Sequence, residues 1–210
     1  MRTAALLAVS LVVALPNLVA GQEGPPAPVA APGQEAPAVP AAKVTKSGGY
    51  FGFSFGTGKG TLNAGGSSIE VDSLFGGSGQ RPTTFALQLR GGFGNGDLLF
   101  GTQMNLTRTW VDIDGTSYGL QFLSLDLVAT LWSQDMGMYA RIGVGPSQVS
   151  GFGGDSTGEA VQGVELMVGV GLTTGGLGVG FDITKQAYDV REAGFDSVTY
   201  VLASLSFDMY

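Results

Sequence analysis

The feature that most constrains this chain is an alternation of apolar with small or polar residues, which starts near Gly48 and continues to the end. Successive side chains of a β-strand point to opposite faces, so a two-residue period predicts strands that each have one apolar face. Eight segments carry the alternation, at residues 51–55, 85–89, 98–106, 123–131, 138–144, 164–172, 177–183 and 201–209. The sequence therefore predicts an all-β domain that covers residues 47–210.

The segments are joined by connections of two kinds. Short turns at 94–97, 133–136 and 173–176 contain Gly, Asn, Asp, Ser or Thr, which tight hairpin turns favour. Longer, polar connections fall near residues 59–82, 112–118, 148–159 and 191–196. Short turns at one end and longer loops at the other are typical of an eight-stranded antiparallel up-and-down transmembrane β-barrel.

Alternation alone leaves open which face lines the interior. A soluble barrel that holds a lipid or pigment would also alternate, with its apolar face around a cavity. Charge favours an apolar exterior: charged residues form 13% of the chain, against about 25% in an average soluble domain. None lies on the apolar face of the eight segments, and the opposite face is mostly Gly, Ser, Thr and Gln. We therefore expect a narrow polar interior, because eight strands leave room for little more than side chains.

A small group of charged residues shares the interior face. Its members are Arg90, Asp126, Arg141, Glu165 and Asp182. An unpaired buried charge is costly, so we predict that these residues pair with one another and plug the lumen. A gated pore is the alternative interpretation of the same group.

Aromatic residues near the strand ends predict two membrane-interface belts. The predicted interfacial aromatics are Phe51, Phe93, Trp132, Tyr139 and Tyr210 on the turn side and Trp110 and Tyr188 on the loop side. Charge returns to the apolar phase at Arg108, after Leu106, and at Lys185, after Ile183. We expect the strands to leave the lipid there, because a basic residue at the bilayer midplane costs roughly 2–4 kcal/mol.

The N-terminus has the pattern of an export signal over residues 1–20. Arg2 supplies a basic start, residues 4–15 form an apolar core, and small residues up to Ala20 suit cleavage. This core is too short for a membrane-spanning helix, which needs about 20 residues. Residues 21–46 are rich in Pro and Ala and predict a disordered linker. An export signal and a membrane barrel together predict a protein of the bacterial outer membrane.

Three segments carry a resemblance to a known family: GGYFGFSFG at 48–56, LSLDLVATLW at 123–132 and YVLASLSFDMY at 200–210. With the strand layout, they resemble the small eight-stranded outer-membrane barrels of the OmpA/OmpX type. The resemblance implies contact with outer-membrane lipid and lipopolysaccharide. It also implies insertion by the barrel assembly machinery, which reads a C-terminal aromatic such as Tyr210. Asp208 stands where such an ending would carry an apolar residue.

The composition argues against several classes of function. The absence of His excludes Ser–His catalysis and His-bearing metal sites, and the absence of Cys excludes thiol chemistry and disulfides. The net charge of −7 argues against nucleic acid as a partner. Residues 112–115 resemble the start of a calcium loop, but Leu123 stands where its essential acid belongs, so we predict a simple Asp-Gly turn. We expect no catalysis, no cofactor and no metal.

The loop side is acidic. It contains Glu70, Asp72, Asp112, Asp114, Asp155, Glu159, Glu192 and Asp196, against Lys59, Arg81 and Arg191. Such a rim suits solvation, a basic partner, or divalent cations that bridge lipopolysaccharide. The sequence thus predicts a structural or surface-interaction barrel, monomeric because closure leaves no strand edge to pair. A small pore or carrier for hydrophobic or small solutes is the alternative, and a soluble periplasmic lipid- or pigment-binding barrel is a more remote one.

Overall fold

The computed structural model describes residues 47–209 except for 79, 96, 134, 135, 154, 155 and 175. The predicted signal peptide, the predicted linker and Tyr210 lie outside the described residues. The strands are β1 (Ser47–Ala64), β2 (Ser67–Glu70), β3 (Thr83–Asn95), β4 (Leu98–Ile113), β5 (Thr116–Ser133), β6 (Met138–Gly153), β7 (Ser156–Thr157), β8 (Val161–Thr174), β9 (Leu177–Tyr188) and β10 (Ser197–Met209). A 3-10 helix (Val71–Ser78) and a one-turn helix, α1 (Val190–Ala193), lie in two of the connections. Neither of these helices is long and apolar enough to cross a membrane.

The eight long strands close into a barrel. They pair antiparallel in the order β1-β3-β4-β5-β6-β8-β9-β10, and β10 pairs back onto β1 from Phe51↔Met209 to Asn63↔Ser197. The two short strands extend hairpins, β2 against β1 and β7 against β6. The predicted all-β, eight-stranded, antiparallel up-and-down barrel is therefore confirmed.

The two ends of the barrel differ as predicted, but strands extend into the predicted loops at 59–82, 112–118 and 148–159. Tight turns join β3 to β4, β5 to β6 and β8 to β9 at one end, which we call the turn side. At the other end, the loop side, the predicted long loop at 112–118 is wrong. Ile113 pairs with Thr116, so β4 and β5 meet in a two-residue turn. Asp114 and Gly115 have φ angles of 50° and 78°, the left-handed values that this kind of hairpin turn requires.

The registers show that the strands are tilted. Leu98, the first residue of β4, pairs with Leu131, two residues before the end of β5. Met138, the first residue of β6, pairs with Leu172, two residues before the end of β8. Each strand pair therefore extends two residues further towards the turn side than the cross-strand partners of the preceding turn. We call the position of a residue along the barrel axis its height. If the turns lie at one height, two residues at equal height on strands two apart differ by about two positions from the hydrogen-bonded register, as tilted strands require.

The two faces of the wall differ in character. Large apolar side chains are exposed on the outer face along every long strand, among them Phe51, Phe93, Phe100, Leu127, Ile142, Val168, Phe181 and Leu205. The inner face buries polar and charged residues together with many glycines. At Gly169, a Cβ would collide with Asp182 and come within 2.8 Å of Arg141 Nε, so glycine on the inner wall makes room for large polar side chains.

Candidate functional site: the filled lumen and the outer wall

The central lumen contains a buried ion pair between Arg141 of β6 and Asp182 of β9. Arg141 Nη2 lies 2.6 Å from Asp182 Oδ2, Nε lies 2.9 Å from Oδ1, and the two side chains are 2% and 0% exposed. The same guanidinium donates to Gln103 Oε1 at 3.2 Å and to Gln88 Oε1 at 3.0 Å. A bidentate pair whose remaining donors are also satisfied is the arrangement that a buried charge needs.

A second ion pair joins Arg90 of β3 to Asp208 of β10. Arg90 Nη2 and Nε lie 2.6 Å and 2.9 Å from Asp208 Oδ1, and Nη1 donates to Ser54 Oγ at 3.3 Å. The pair passes over β1, where a Cβ on Gly52 would collide with the Asp208 carboxylate. The predicted charge network does not include Asp208, which stands where an apolar residue was expected. The signal was available, because Asp208 alternates with the outward Phe207 and Met209.

The remaining two residues of the predicted network, Asp126 and Glu165, face each other without an arginine. Asn105 Nδ2 donates to Asp126 Oδ2 at 2.5 Å and to Glu165 Oε1 at 2.7 Å. Ser124 Oγ lies within hydrogen-bond distance of both carboxyls, and Gln186 Nε2 donates to Glu165 Oε2. Both residues are fully buried, and Asp126 Oδ1 has no hydrogen-bond partner. Within the described part of the chain, Arg141 reaches this carboxyl pair through Gln103 and Asn105 rather than by an ion pair.

Apolar side chains fill the loop-side lumen, a feature that sequence analysis did not anticipate. The buried cluster consists of Leu62, Val71, Ala86, Phe122, Val149, Tyr188, Phe195, Val198, Tyr200 and Leu202. Val71 of the 3-10 helix is fully buried, and the Phe122 and Tyr200 rings meet edge to face at 5.3 Å. The Tyr200 hydroxyl is hydrogen-bonded to Thr109 at 3.1 Å. We call this cluster the apolar layer.

A smaller aromatic cluster occupies the turn-side end of the lumen. It consists of Tyr50, Leu99, Trp132 and Tyr139. The Trp132 and Tyr139 rings stack at 5.9 Å, and Arg141 Cζ lies 5.4 Å from the Tyr139 ring. A cavity of about 20 Å³ remains between this cluster and the Arg90–Asp208 pair, which is room for a single water molecule.

The predicted interfacial aromatics divide between the two faces. Phe51 and Phe93 are exposed on the outer wall, and Trp110 is half-buried there. The prediction is wrong for Trp132, Tyr139 and Tyr188, which are buried inside the barrel. The physical reason is the two-residue period: these three share the inward phase of Asp126, Arg141 and Asp182 on their strands. Tyr210 lies outside the described residues.

Tyr188 shows what an inward aromatic gains near the loops. Its hydroxyl donates to Gln186 Oε1 at 2.7 Å, and Gln186 in turn donates to Glu165. The phenol therefore links the apolar layer to the polar network below it.

The outer wall carries its own charged residues near the loop side. Lys59 of β1, Arg108 of β4 and Lys185 of β9 are exposed. The Arg108 guanidinium lies 3.9 Å from the centre of the Phe152 ring and 5.9 Å from that of Trp110. Acidic residues lie beyond them in the connections, and within the described residues no group of three or more His, Cys, Asp or Glu could hold a metal ion.

Comparison with solved structures identifies the fold. No protein-family model matches the sequence, and no curated protein matches it. Ail, the attachment invasion locus protein of Yersinia pestis, solved with the heparin analogue sucrose octasulfate, superposes with a TM-score of 0.54 at 12% identity, over 77% of this chain and 99% of Ail. Neisserial surface protein A gives 0.49 at 11% identity over 76% and 98% of the two chains. The N-terminal β-barrel domain of Pseudomonas aeruginosa OprF gives 0.44 at 12% identity over 78% and 98%.

The likeness to Ail defines the class of architecture to which this chain belongs. Its barrel has the fold of the small eight-stranded outer-membrane barrels. The resemblance predicted from the strand layout is therefore confirmed at the level of the fold.

Proposed function

We propose that this chain is a non-catalytic β-barrel of the bacterial outer membrane, with a structural or surface-interaction role and a closed lumen. The observation that carries the proposal is the orientation of the two faces. Leu127, in the middle of the outward phase of β5, is 69% exposed, while Asp126 beside it is fully buried. In water, a wall of this kind would expose apolar area far beyond the few hundred Å² that soluble monomers tolerate. A lipid environment makes it favourable.

The lumen supports a non-conducting role. Three successive barriers cross it: the aromatic cluster at the turn side, the polar network with its two ion pairs, and the apolar layer at the loop side. An ion would have to break a buried ion pair and then cross the apolar layer. Both steps are unfavourable, because one strips a charge of its partner and the other strips it of water.

The surfaces suggest the partners. The apolar wall suits outer-membrane lipid and lipopolysaccharide, and insertion by the barrel assembly machinery follows from the proposed location. The eight long strands of the described barrel close on themselves without a free edge, which favours a monomer. Ail was solved with a sulfated, polyanionic ligand, whereas the loop side here exposes Glu70, Asp112, Asp114, Glu159 and Glu192. These carboxylates favour a cationic partner over a polyanion or nucleic acid.

Membrane fractionation combined with electrophoresis of unheated and boiled samples tests the location. We expect the chain in the membrane fraction, with a band that shifts on boiling as the closed barrel unfolds. Leu127→Arg should abolish or strongly reduce the shifted band, because it puts a charge in the middle of the apolar wall. Glu159→Arg, on an exposed loop, is the matched control and should behave as wild type. A soluble chain without a shift would contradict the proposal.

Planar-bilayer recording tests the closed lumen separately. We expect no steady conductance from the purified wild-type barrel. Steady open conductance would contradict the closed lumen and would favour the alternative of a small pore, while leaving the membrane location intact.

A further inference from the structure

Three basic residues point outward from the barrel wall. Of the seven Lys and Arg residues that the structure describes, Arg90 and Arg141 lie in the lumen and Arg81 and Arg191 lie in loop-side connections. The other three, Lys59, Arg108 and Lys185, are on the outward phase of long strands. Within the described residues, none of these three forms an ion pair with a carboxylate.

The register places Lys59 and Lys185 at one height. Lys185 pairs with Thr199, and Thr199 pairs with Thr61, two residues nearer the loops than Lys59. Residues at equal height on strands two apart differ by about two positions from the hydrogen-bonded register, as the turns of this barrel show. The shift brings Lys59 level with Lys185.

Arg108 lies at the same height as the two lysines. Arg108 pairs with Phe85. The β1–β3 register, which runs to Gly56↔Ala86, places Thr57 opposite Phe85, two residues nearer the turns than Lys59. Thr57 Oγ1 donates to the Thr84 carbonyl at 2.7 Å, which agrees with this alignment. Arg108 is therefore level with Lys59 as well.

These three residues, which we call the cationic arc, lie at the loop-side limit of the apolar wall. Below Lys185 the outward phase of β9 carries the exposed Ile183 and Phe181. The Arg108 guanidinium makes cation–π contacts with the Phe152 and Trp110 rings, which define its position on the wall.

The arc covers one side of the barrel. It extends over the neighbouring strands β9, β10, β1, β3 and β4. On the opposite side, the outward positions near the loop ends of β6 and β8 carry Gln148 and Gln162, and their amides are hydrogen-bonded at 3.4 Å. At this height of the outer wall, the basic residues thus lie on one side of the barrel and uncharged amides on the other.

We propose that the cationic arc binds the phosphate groups of lipopolysaccharide at the membrane surface. This inference rests on the outer-membrane location proposed above. Arginine can bind a phosphate through two hydrogen bonds, and lysine attracts it as a point charge on a long flexible stem. Neighbouring members of the arc are two strands apart, about 9–10 Å across the sheet. That spacing suits separate phosphates of one lipid headgroup better than a single phosphate. With a net charge of −7, the rest of the protein does not attract anions in general, which makes the arc a local site.

Binding of fluorescently labelled lipopolysaccharide to the full chain, in zwitterionic phosphatidylcholine nanodiscs, tests the proposal. The triple variant Lys59→Gln/Arg108→Gln/Lys185→Gln should weaken binding by about fivefold for each cation removed, or about a hundredfold in all. The charge-preserving variant Lys59→Arg/Arg108→Lys/Lys185→Arg should bind within a few fold of wild type. The control Arg81→Gln/Arg191→Gln removes two loop-side cations and should change nothing.

Competitors identify the source of the phosphate. Inorganic phosphate and phosphatidylglycerol should displace the labelled lipid much less effectively than unlabelled lipopolysaccharide. Equal competition by phosphatidylglycerol would overturn the assignment to lipopolysaccharide. A triple variant that keeps its heat-shifted band but binds as tightly as wild type would overturn the arc alone. Loss of the heat shift in the wild-type chain would instead overturn the proposed function on which the arc rests.

Discussion

The middle of the barrel and its loop-side part place their apolar residues on opposite faces. In the middle, Phe181 points outward and Asp182 inward, while towards the loops Asp112 points outward and Val111 inward. The backbone is a continuous strand in both cases. A β-strand has no fixed inside, so the surrounding medium decides which of its faces is apolar. The exchange of faces between the two parts is what a barrel needs when lipid surrounds one part and water the other.

Removal of one partner from the Arg141–Asp182 pair should have the largest effect. Arg141→Met leaves the Asp182 carboxylate buried without a counter-charge, which costs about 3–5 kcal/mol of unfolding free energy. Replacing both residues, as Arg141→Met/Asp182→Leu, should recover most of that loss. Denaturant titration in detergent micelles measures both. A single variant as stable as wild type would mean that the polar part of the lumen does not depend on pairing.

The apolar layer should respond to lost volume rather than to lost charge. Leu202→Ala should destabilise the barrel by about 2–4 kcal/mol, because a cavity opens among Phe122, Tyr200 and Val198. The outward Leu205→Ala is the matched control, and its cost should be smaller because lipid or detergent can fill the space. The same titration compares them. Equal losses would show that this part of the lumen is not packed as a core.

Neutralising one acid of the Asp126–Glu165 pair should raise the unfolding free energy, whereas neutralising the acid of an ion pair should lower it. Asp126→Asn removes one of two adjacent acids that lack a basic partner, and should stabilise the barrel by on the order of 1 kcal/mol. Asp182→Asn, a chemically identical change at a paired acid, should destabilise it. If Asp126→Asn were as damaging as Asp182→Asn, the carboxyl pair would need its charge, which would contradict this account of the polar network.

Unpartnered hydroxyls in the same polar region should have the smallest effect. The hydroxyls of Ser204 and Ser206 are buried without a hydrogen-bond partner. Ser204→Ala should therefore change the unfolding free energy by less than about 0.5 kcal/mol, since no hydrogen bond is lost. Ser54→Ala is the contrasting control, because its hydroxyl donates to Gln88 at 2.6 Å, and it should cost about 1 kcal/mol. Similar effects at the two serines would remove the distinction.

Local pattern predicted the parts of the fold that depend on local chemistry. The period of two located the strands and their outward faces, and turn residues located the three tight turns. The same period, applied to Trp132 and Tyr139, would have placed these rings in the lumen. Position near a strand end suggested an interface instead, and phase is the stronger constraint because it is set by backbone geometry.

Pairings across the barrel could not be predicted in this way. Arg90 meets Asp208 because β10 closes onto β1 in one register and because Gly52 leaves room between them. Neither condition appears in the sequence near Arg90. The exchange of faces was visible in the sequence only in part. Arg108 and Lys185 marked it on the outer face. The apolar layer on the inner face could not be predicted, because it combines residues from six strands and two connections.

The Arg90–Asp208 pair also bears on how the closing strands avoid misalignment. Sliding β10 along β1 by one residue would turn every side chain to the wrong face, and the alternation alone forbids it. Sliding it by two residues would keep every face correct, so hydrophobicity cannot detect the error. That slip would place Ser206 or residue 210 opposite Gly52 and leave a buried guanidinium without its carboxylate. The ion pair thus distinguishes the native alignment from the nearest alternatives that the apolar pattern accepts equally well.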